Sequence, residues 1–320
     1  MRNRREYFKA ASMALSILAL WIIAIPAQAV DWNAVKGVDI KLFAPGQASW
    51  EWVLTESDHS ASKSVRKGAN CKECHDGEEE KIGALIASGK KLEPNPVSGR
   101  PGSIKVNVKA AHDKDNLNVR LEWQGSRQAG SQKMDPDFQS KVAFMLNDGT
   151  VKESRIAGCW ATCHDDAVHM ASAQQGKKIS KYLFSSRTKV TRQGGGENFK
   201  PDAEIKALLG KNAFFEIWRA KLNNGQPAVA EDGYVLDKRT KNKVPAIKAE
   251  SQYAGGKWIV VLSRQLTQPG TGHFGFENGK VYQFGVAVHD NYAEDRYHHV
   301  SFGYTLAIGK GKADVVAKGF

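Results

Sequence analysis

Two cysteines three positions apart with a histidine directly after them, Cys71-Lys72-Glu73-Cys74-His75, are the residues of this 320-residue chain whose types and spacing do chemistry. Thiols at this spacing reach the two vinyl groups of one porphyrin, and the adjacent imidazole lies under the ring and offers a nitrogen to the iron. The stretch therefore reads as a c-type haem attachment site, with Cys71 and Cys74 as covalent anchors and His75 as an iron ligand. A second version runs from Cys159 to His164 with three residues between the thiols. Positions i and i+4 share a helix face, so Cys159 and Cys163 still reach one ring, and His164 takes the role of His75. All four cysteines lie in these motifs, leaving none for a structural bridge elsewhere. Two disulfides or a four-thiolate zinc site are the alternatives. The histidine behind each pair and the export signal described below favour two c-type haems.

A haem that only transfers electrons usually carries two strong axial ligands, whereas an open iron position suits binding or chemistry. Beyond His75 and His164 the chain has His59, His112, His169, His273, His289, His298 and His299. His59 lies in a polar loop twelve residues before Cys71 and is the expected second ligand of the first haem, with His112, at the end of a strand, as the alternative. For the second haem, His298 shares the apolar alternation of Val300, Phe302, Tyr304, Leu306 and Ile308 and is expected to point inward, with His299 as the fallback. A core histidine bonded to backbone explains that pattern equally well. His169 and Met170 follow His164 too closely to complete the same iron.

The elements that must position these groups follow an export signal at 1–29: a basic start at Arg2, Arg4, Arg5 and Lys9, an apolar run from Ala10 to Ile25, and Ala27-Gln28-Ala29 as cleavage site. Its removal leaves +9 of the formal +12 charge. In an exported chain that charge points to acidic proteins or membrane headgroups rather than nucleic acid. The basic runs from Lys177 to Arg192 and from Lys238 to Lys243 are candidate steering surfaces. The signal implies a periplasmic protein, and the sequence identifies no small-molecule substrate.

Residues 30–95 are read as an N-terminal haem segment: an extended entry over Asp31 to Val53 forming a hairpin or edge strand, then the motif, then a helix over Glu78 to Ser88. Three prolines and two glycines between Lys91 and Gly102 mark a linker. From 96 to 320 the period becomes two. Ile104 to Ala110 and Leu117 to Trp123 form a strand pair turning at Asp113 to Asn116, and Val142 to Leu146 is a third strand leading into the second motif. After a short helix over Pro201 to Leu209 come strands at Ala213 to Leu222, Tyr234 to Asp237, Lys257 to Leu262, Val281 to Val288 and Tyr297 to Ile308. The pattern predicts a mainly β fold, an antiparallel β-sandwich with helical insertions.

The order Leu121-Glu122-Trp123, Val142-Ala143-Phe144-Met145 and His298-His299-Val300-Ser301 resembles the haem-binding domain of ethylbenzene dehydrogenase gamma subunits and their dimethylsulfide dehydrogenase relatives. With both haem motifs it is most similar to an exported, cytochrome c-552-like branch of that superfamily, and the resemblance covers nearly all of the mature chain. It implies a β-sandwich that in the gamma subunits holds one b-type haem between a Met and a Lys. Here Cys159 to His164 stands where the Met loop falls, and His298 stands where the Lys falls. That implies a covalent second haem with two histidine ligands. Together these readings describe a dihaem carrier of single electrons between a quinol-linked membrane donor and a redox protein. The alternatives are an electron-transfer subunit of a larger dehydrogenase, a haem enzyme reducing a small oxyanion or peroxide at an open iron, and a gas sensor.

Overall fold

A computed structural model describes residues 30–126, 133–158, 183–192 and 198–320. The expected export signal and the second motif, with Cys159, Cys163, His164, His169 and Met170, lie outside these residues. Among the described residues, no helix is long and apolar enough to cross a membrane.

In chain order the elements are β1 (Val38–Phe43), α1 (Trp50–Val53), α2 (Ser62–Arg66), α3 (Cys71–His75), α4 (Glu79–Ala87), β2 (Ser103–His112), β3 (Asn116–Gln124), β4 (Ser140–Asn147) and α5 (Lys152–Ala157). Then follow α6 (Asp202–Leu209), β5 (Phe215–Leu222), β6 (Val229–Val235), β7 (Arg239–Lys241), β8 (Lys248–Ala254), β9 (Lys257–Gln265), β10 (Val281–His289), β11 (His299–Val300), β12 (Tyr304–Ile308) and β13 (Val315–Gly319). The strands are hydrogen-bonded in the order β7-β6-β5-β4-β10-β11-β1-β2-β3-β9-β8, and β12 and β13 bridge β10 to β2. Nearly all pairs are antiparallel; β13 runs parallel to β12 and β2.

The two arms of this sheet face each other, β5 and β6 opposite β8 and β9, as a sandwich. Alternation explains the core. Val106, Val108 and Ala110 on β2 stand opposite Trp123, Leu121 and Val119 on β3, and Trp123 and Leu121 in turn stand opposite Trp258 and Val260 on β9. All are buried. From the other arm, Val142, Phe144 and Leu146 of β4, Trp218 and Ala220 of β5, and Phe284, Val286 and Val288 of β10 close the core. Side chains two apart on a strand share a face, so each apolar row faces the opposite sheet.

Four expectations change. The entry strand ends at Phe43, because Ser49 caps a helical turn by accepting a hydrogen bond from Trp52 N (3.3 Å), so Trp50, Trp52 and Val53 lie on α1. Nor is β1 an edge: it pairs with β2 on one side and β11 on the other. The last strand is not continuous. Ser301 Oγ accepts from Val286 N (2.9 Å), a ladder donor, and breaks Tyr297 to Ile308 into β11 and β12. Its alternation fails at that break, so His299 is the buried histidine and His298 is only half-buried. The proline-rich stretch is pinned rather than loose: Glu93 is buried and accepts from Arg296 Nε (2.8 Å) and Nη2 (2.6 Å). Residues Asp31–Phe320 cluster as one compact unit.

Polar groups also enter the core. Glu216 on β5 and Arg264 on β9 reach across the sandwich, with Nε 2.9 Å from Oε1 and both side chains fully buried. Trp218 Nε1 (2.6 Å) and His273 Nδ1 (2.9 Å) donate to the same oxygen, and Phe274 N (3.2 Å) donates to the other. On the outer side Glu231 gathers Arg219, Lys221, Arg239 and Lys241. Burial pushes the Glu231 carboxyl up, but the hydrogen bond from Lys241 and the neighbouring positive charges outweigh it and hold the group at about 2. A depressed folded value means that the stabilisation is complete above the unfolded value and is lost as pH falls through the folded one. Acid titration of stability should therefore decline between about pH 4.5 and 2, and Glu231→Gln should flatten that part of the curve in pH-dependent urea denaturation.

Candidate functional site

Helix α3 is one turn of Cys-Lys-Glu-Cys-His set by a capping box. Asn70 Oδ1 accepts from Glu73 N (2.8 Å), and the Glu73 carboxylate reaches back to Asn70 N (3.5 Å). Fixing the first turn this way satisfies donors a short helix leaves open. It also sets Cys71, Cys74 and His75 along one wall of a cleft of about 940 Å³, including its open mouth. Cys71 is buried and Cys74 exposed. The other walls are apolar: Phe43 at the end of β1, Trp52 and Val53 of α1, Val65 of α2, Ile82, Leu85 and Ile86 of α4, Leu92, and Phe302 from the break between β11 and β12. Lys91 lies at the same cleft, its ammonium over the Trp52 ring.

His59 enters from the loop between α1 and α2 and faces His75 with ring centroids 6.2 Å apart, tilted by 44°. Two imidazoles on opposite sides of one transition metal, each nitrogen about 2 Å from it, put their centroids roughly 6.3 Å apart. His59 Nδ1 donates to the Val53 carbonyl (3.1 Å), and His75 Nδ1 donates to Glu78 Oε2 (2.9 Å). In each ring the other nitrogen, Nε2, is left for a ligand, the tautomer that metal-binding histidines adopt. Burial lowers the His59 value, which favours the neutral, ligating form. Behind His75, Phe302 stacks at 6.2 Å and 19° and itself contacts Phe43 at 4.7 Å. The residues fit a covalent haem between His75 and His59.

The structure places the remaining described histidines elsewhere. His112 ends β2, donates Nδ1 to its neighbour Asp113 (3.0 Å) and abuts Gly309 and Gly319, away from the lining of the cleft. His273 belongs to the Glu216 network. His298 Nδ1 and His289 Nε2 both donate to the Asp295 carbonyl (2.8 and 2.9 Å), their rings stacked at 4.8 Å. Burial pushes His298 down to about 4. His299 Nε2 donates to the Pro101 carbonyl (2.7 Å), and its buried Nδ1 has no partner among the described residues.

The chain enters the second motif beside the first cleft. Gly158 has φ +65°, and a Cβ there would stand 2.6 Å from Gly303 N and 2.8 Å from Phe302 C, so only glycine permits the crossing. Arg155 Nη1 donates to the Gly68 carbonyl (3.2 Å), tying the segments that precede the two motifs.

The sequence model of the family described as "Ethylbenzene dehydrogenase" matches residues 29–301. The chain belongs to this family. Within it the chain is similar over nearly its full length to proteins named as cytochromes. It is 34% identical over 298 residues to "Cytochrome c-552" of Stutzerimonas stutzeri, covering 92% of each chain. It is 29% identical to "Cytochrome c-551" of Rhodocyclus tenuis, covering 90% of this chain and 99% of that one. Among solved structures, a putative carbohydrate-binding protein from Bacteroides uniformis overlaps 67% of this chain and 74% of its own at 9% identity and a TM-score of 0.31. That likeness carries no argument about the site. This family member is accordingly an electron-transfer cytochrome with c-type haem.

Sequence reasoning missed Glu78 and Phe302 as parts of the site. Glu78 was legible as the residue three beyond His75 across an Asp-Gly turn. Phe302 was not, because its place depends on the break that Ser301 makes in the strand.

Proposed function

We propose that the chain is an exported dihaem c-type cytochrome that carries single electrons between a quinol-linked membrane donor and a redox protein. The observation that carries this reading is the His59–His75 pair, at iron-spanning separation across an apolar cleft whose wall holds both thiols of the motif. A bound haem supplies a one-electron iron couple. His75 and His59 would both hold the iron and so leave no site there for a substrate, while Trp52, Phe43 and Phe302 would keep water from the bound group. Favouring a carrier over the enzyme and sensor alternatives, both imidazoles are pre-oriented by their Nδ1 hydrogen bonds.

The proposal extends to a second haem on Cys159 and Cys163 with His164 and His298 as ligands and His299 as the alternative. The carbonyl-anchored Nδ1 of His298 and the Nδ1 of His299, without a partner among the described residues, both support that reading. Lys81, Lys90 and Lys91, all exposed on or after α4, offer an acidic partner a basic approach to the first haem. In the Lys238 to Lys243 run, by contrast, Arg239 and Lys241 are turned to Glu231.

Intact mass of the purified mature protein tests the stoichiometry. Two covalent haems per chain are expected, falling to one in the Cys159→Ala/Cys163→Ala variant; one haem in the wild type would remove the second centre from the proposal.

A further inference from the structure

We infer that Glu78 is a positioning residue that orients His75, strengthens it as an electron donor and thereby lowers the potential of the haem on Cys71 and Cys74; this rests on His75 being an iron ligand. The local chain is built to deliver that carboxylate. After His75 the backbone turns through Asp76-Gly77, and Glu78 N donates to the His75 carbonyl (3.0 Å), closing the turn. Gly77 sits at φ +83° with nothing within 4 Å of where its Cβ would be, so glycine is required there by backbone conformation and not by space. The turn folds Glu78 back over the residue three before it.

Glu78 then occupies the N-cap position of α4. Side chains at that position ordinarily accept from the first free amides of the helix, and Glu78 makes no such bond. Its Oε2 lies 2.9 Å from His75 Nδ1 instead. A glutamate side chain is ionised at neutral pH, so the acceptor is a carboxylate.

The two axial histidines are thereby made unequal. His59 gives its Nδ1 proton to a neutral carbonyl, Val53; His75 gives its proton to an anion. Charge-assisted hydrogen bonds are the stronger kind, and a carboxylate behind a ligating imidazole raises its basicity. More electron density at Nε2 favours ferric over ferrous iron. A merely structural Glu78 would hold the turn without altering that balance.

The test is spectroelectrochemistry of the full dihaem protein with its ferric low-spin electron paramagnetic resonance, for wild type, Glu78→Gln, Glu78→Asp and Glu80→Gln. Glu80 is an exposed carboxylate two residues on and serves as the charge control. In Glu78→Gln one of the two redox waves should move positive by about 59 mV, a tenfold change in ferric over ferrous preference for a one-electron couple. The g anisotropy of one low-spin signal should change with it. Glu78→Asp should fall between, and Glu80→Gln should leave both readouts near wild type. Equal shifts in Glu78→Gln and Glu80→Gln, or no shift in either, would overturn the inference alone. A wild-type first haem that is not low-spin would overturn the axial pair and this inference with it.

Discussion

Replacing His59 by alanine should convert the haem on Cys71 and Cys74 from a low-spin centre that ignores carbon monoxide into one that binds it stoichiometrically in the ferrous state. His59 is the imidazole that faces His75 across the cleft. Around it Trp52, Val53, Val65, Ile82, Leu85 and Ile86 have no strong iron-binding atom, and the Lys91 ammonium is held over the Trp52 ring. An iron with one strong ligand lost gains an open position, which suits small-molecule binding. Difference spectra of the reduced protein with and without carbon monoxide measure the change directly. His112→Ala is the control and should leave the spectra unaltered, because His112 is anchored to Asp113 at the far end of β2. Carbon monoxide binding by the wild type at this haem would count against His59 as ligand and return the enzyme and sensor readings.

The second large effect concerns the sandwich that holds the site. Glu216→Ala should cost about 3–5 kcal/mol of stability, because removing one partner leaves the other charge buried and unpaired. Arg264 sits between Trp218 and Phe276, and its remaining bonds go to the carbonyls of Thr267 and Phe274, so among the described residues no other carboxylate is in bonding contact with it. His273 and Trp218 lose an acceptor at the same time. Urea denaturation midpoints measure the loss. A Glu216→Leu/Arg264→Met double variant should recover much of it, since an apolar replacement of both partners removes the stranded charge. A double variant as unstable as the sum of its singles would show that the pair acts independently and that the cost lies in packing.

How much could be read beforehand follows from what is local. The period-two rows of β2, β3, β4, β9 and β10 were legible because each strand's alternation is decided by its own residues and one buried face. So were α4 and α6; the loop of His59, expected to fold over the first motif, brings that ring to face His75. The break at Ser301 was not legible, since it depends on a side-chain hydroxyl meeting the Val286 amide on a different strand. That break moved His298 out of the apolar row and placed Phe302 behind His75. The crossing of Glu216 and Arg264 was half-legible. Each sits in phase with its strand's apolar row, as Arg264 does with Trp258, Val260 and Leu262. Opposite charges in two inward rows are a signal of pairing, but only the topology brings β5 and β9 face to face. The sequence favours His59 over His112, and the fold separates them by place: His59 faces His75, whereas His112 is not among the residues lining the cleft.

The account stands most directly on the state of the iron between His75 and His59. Low-temperature electron paramagnetic resonance of the oxidised wild-type protein, with spins counted per chain, reads that state without any variant. The account predicts two low-spin ferric centres per chain, both with the signature of two imidazole ligands, and no high-spin signal. A high-spin centre in stoichiometric amount would contradict it, and would mean that one iron keeps an open position for a substrate or a gas.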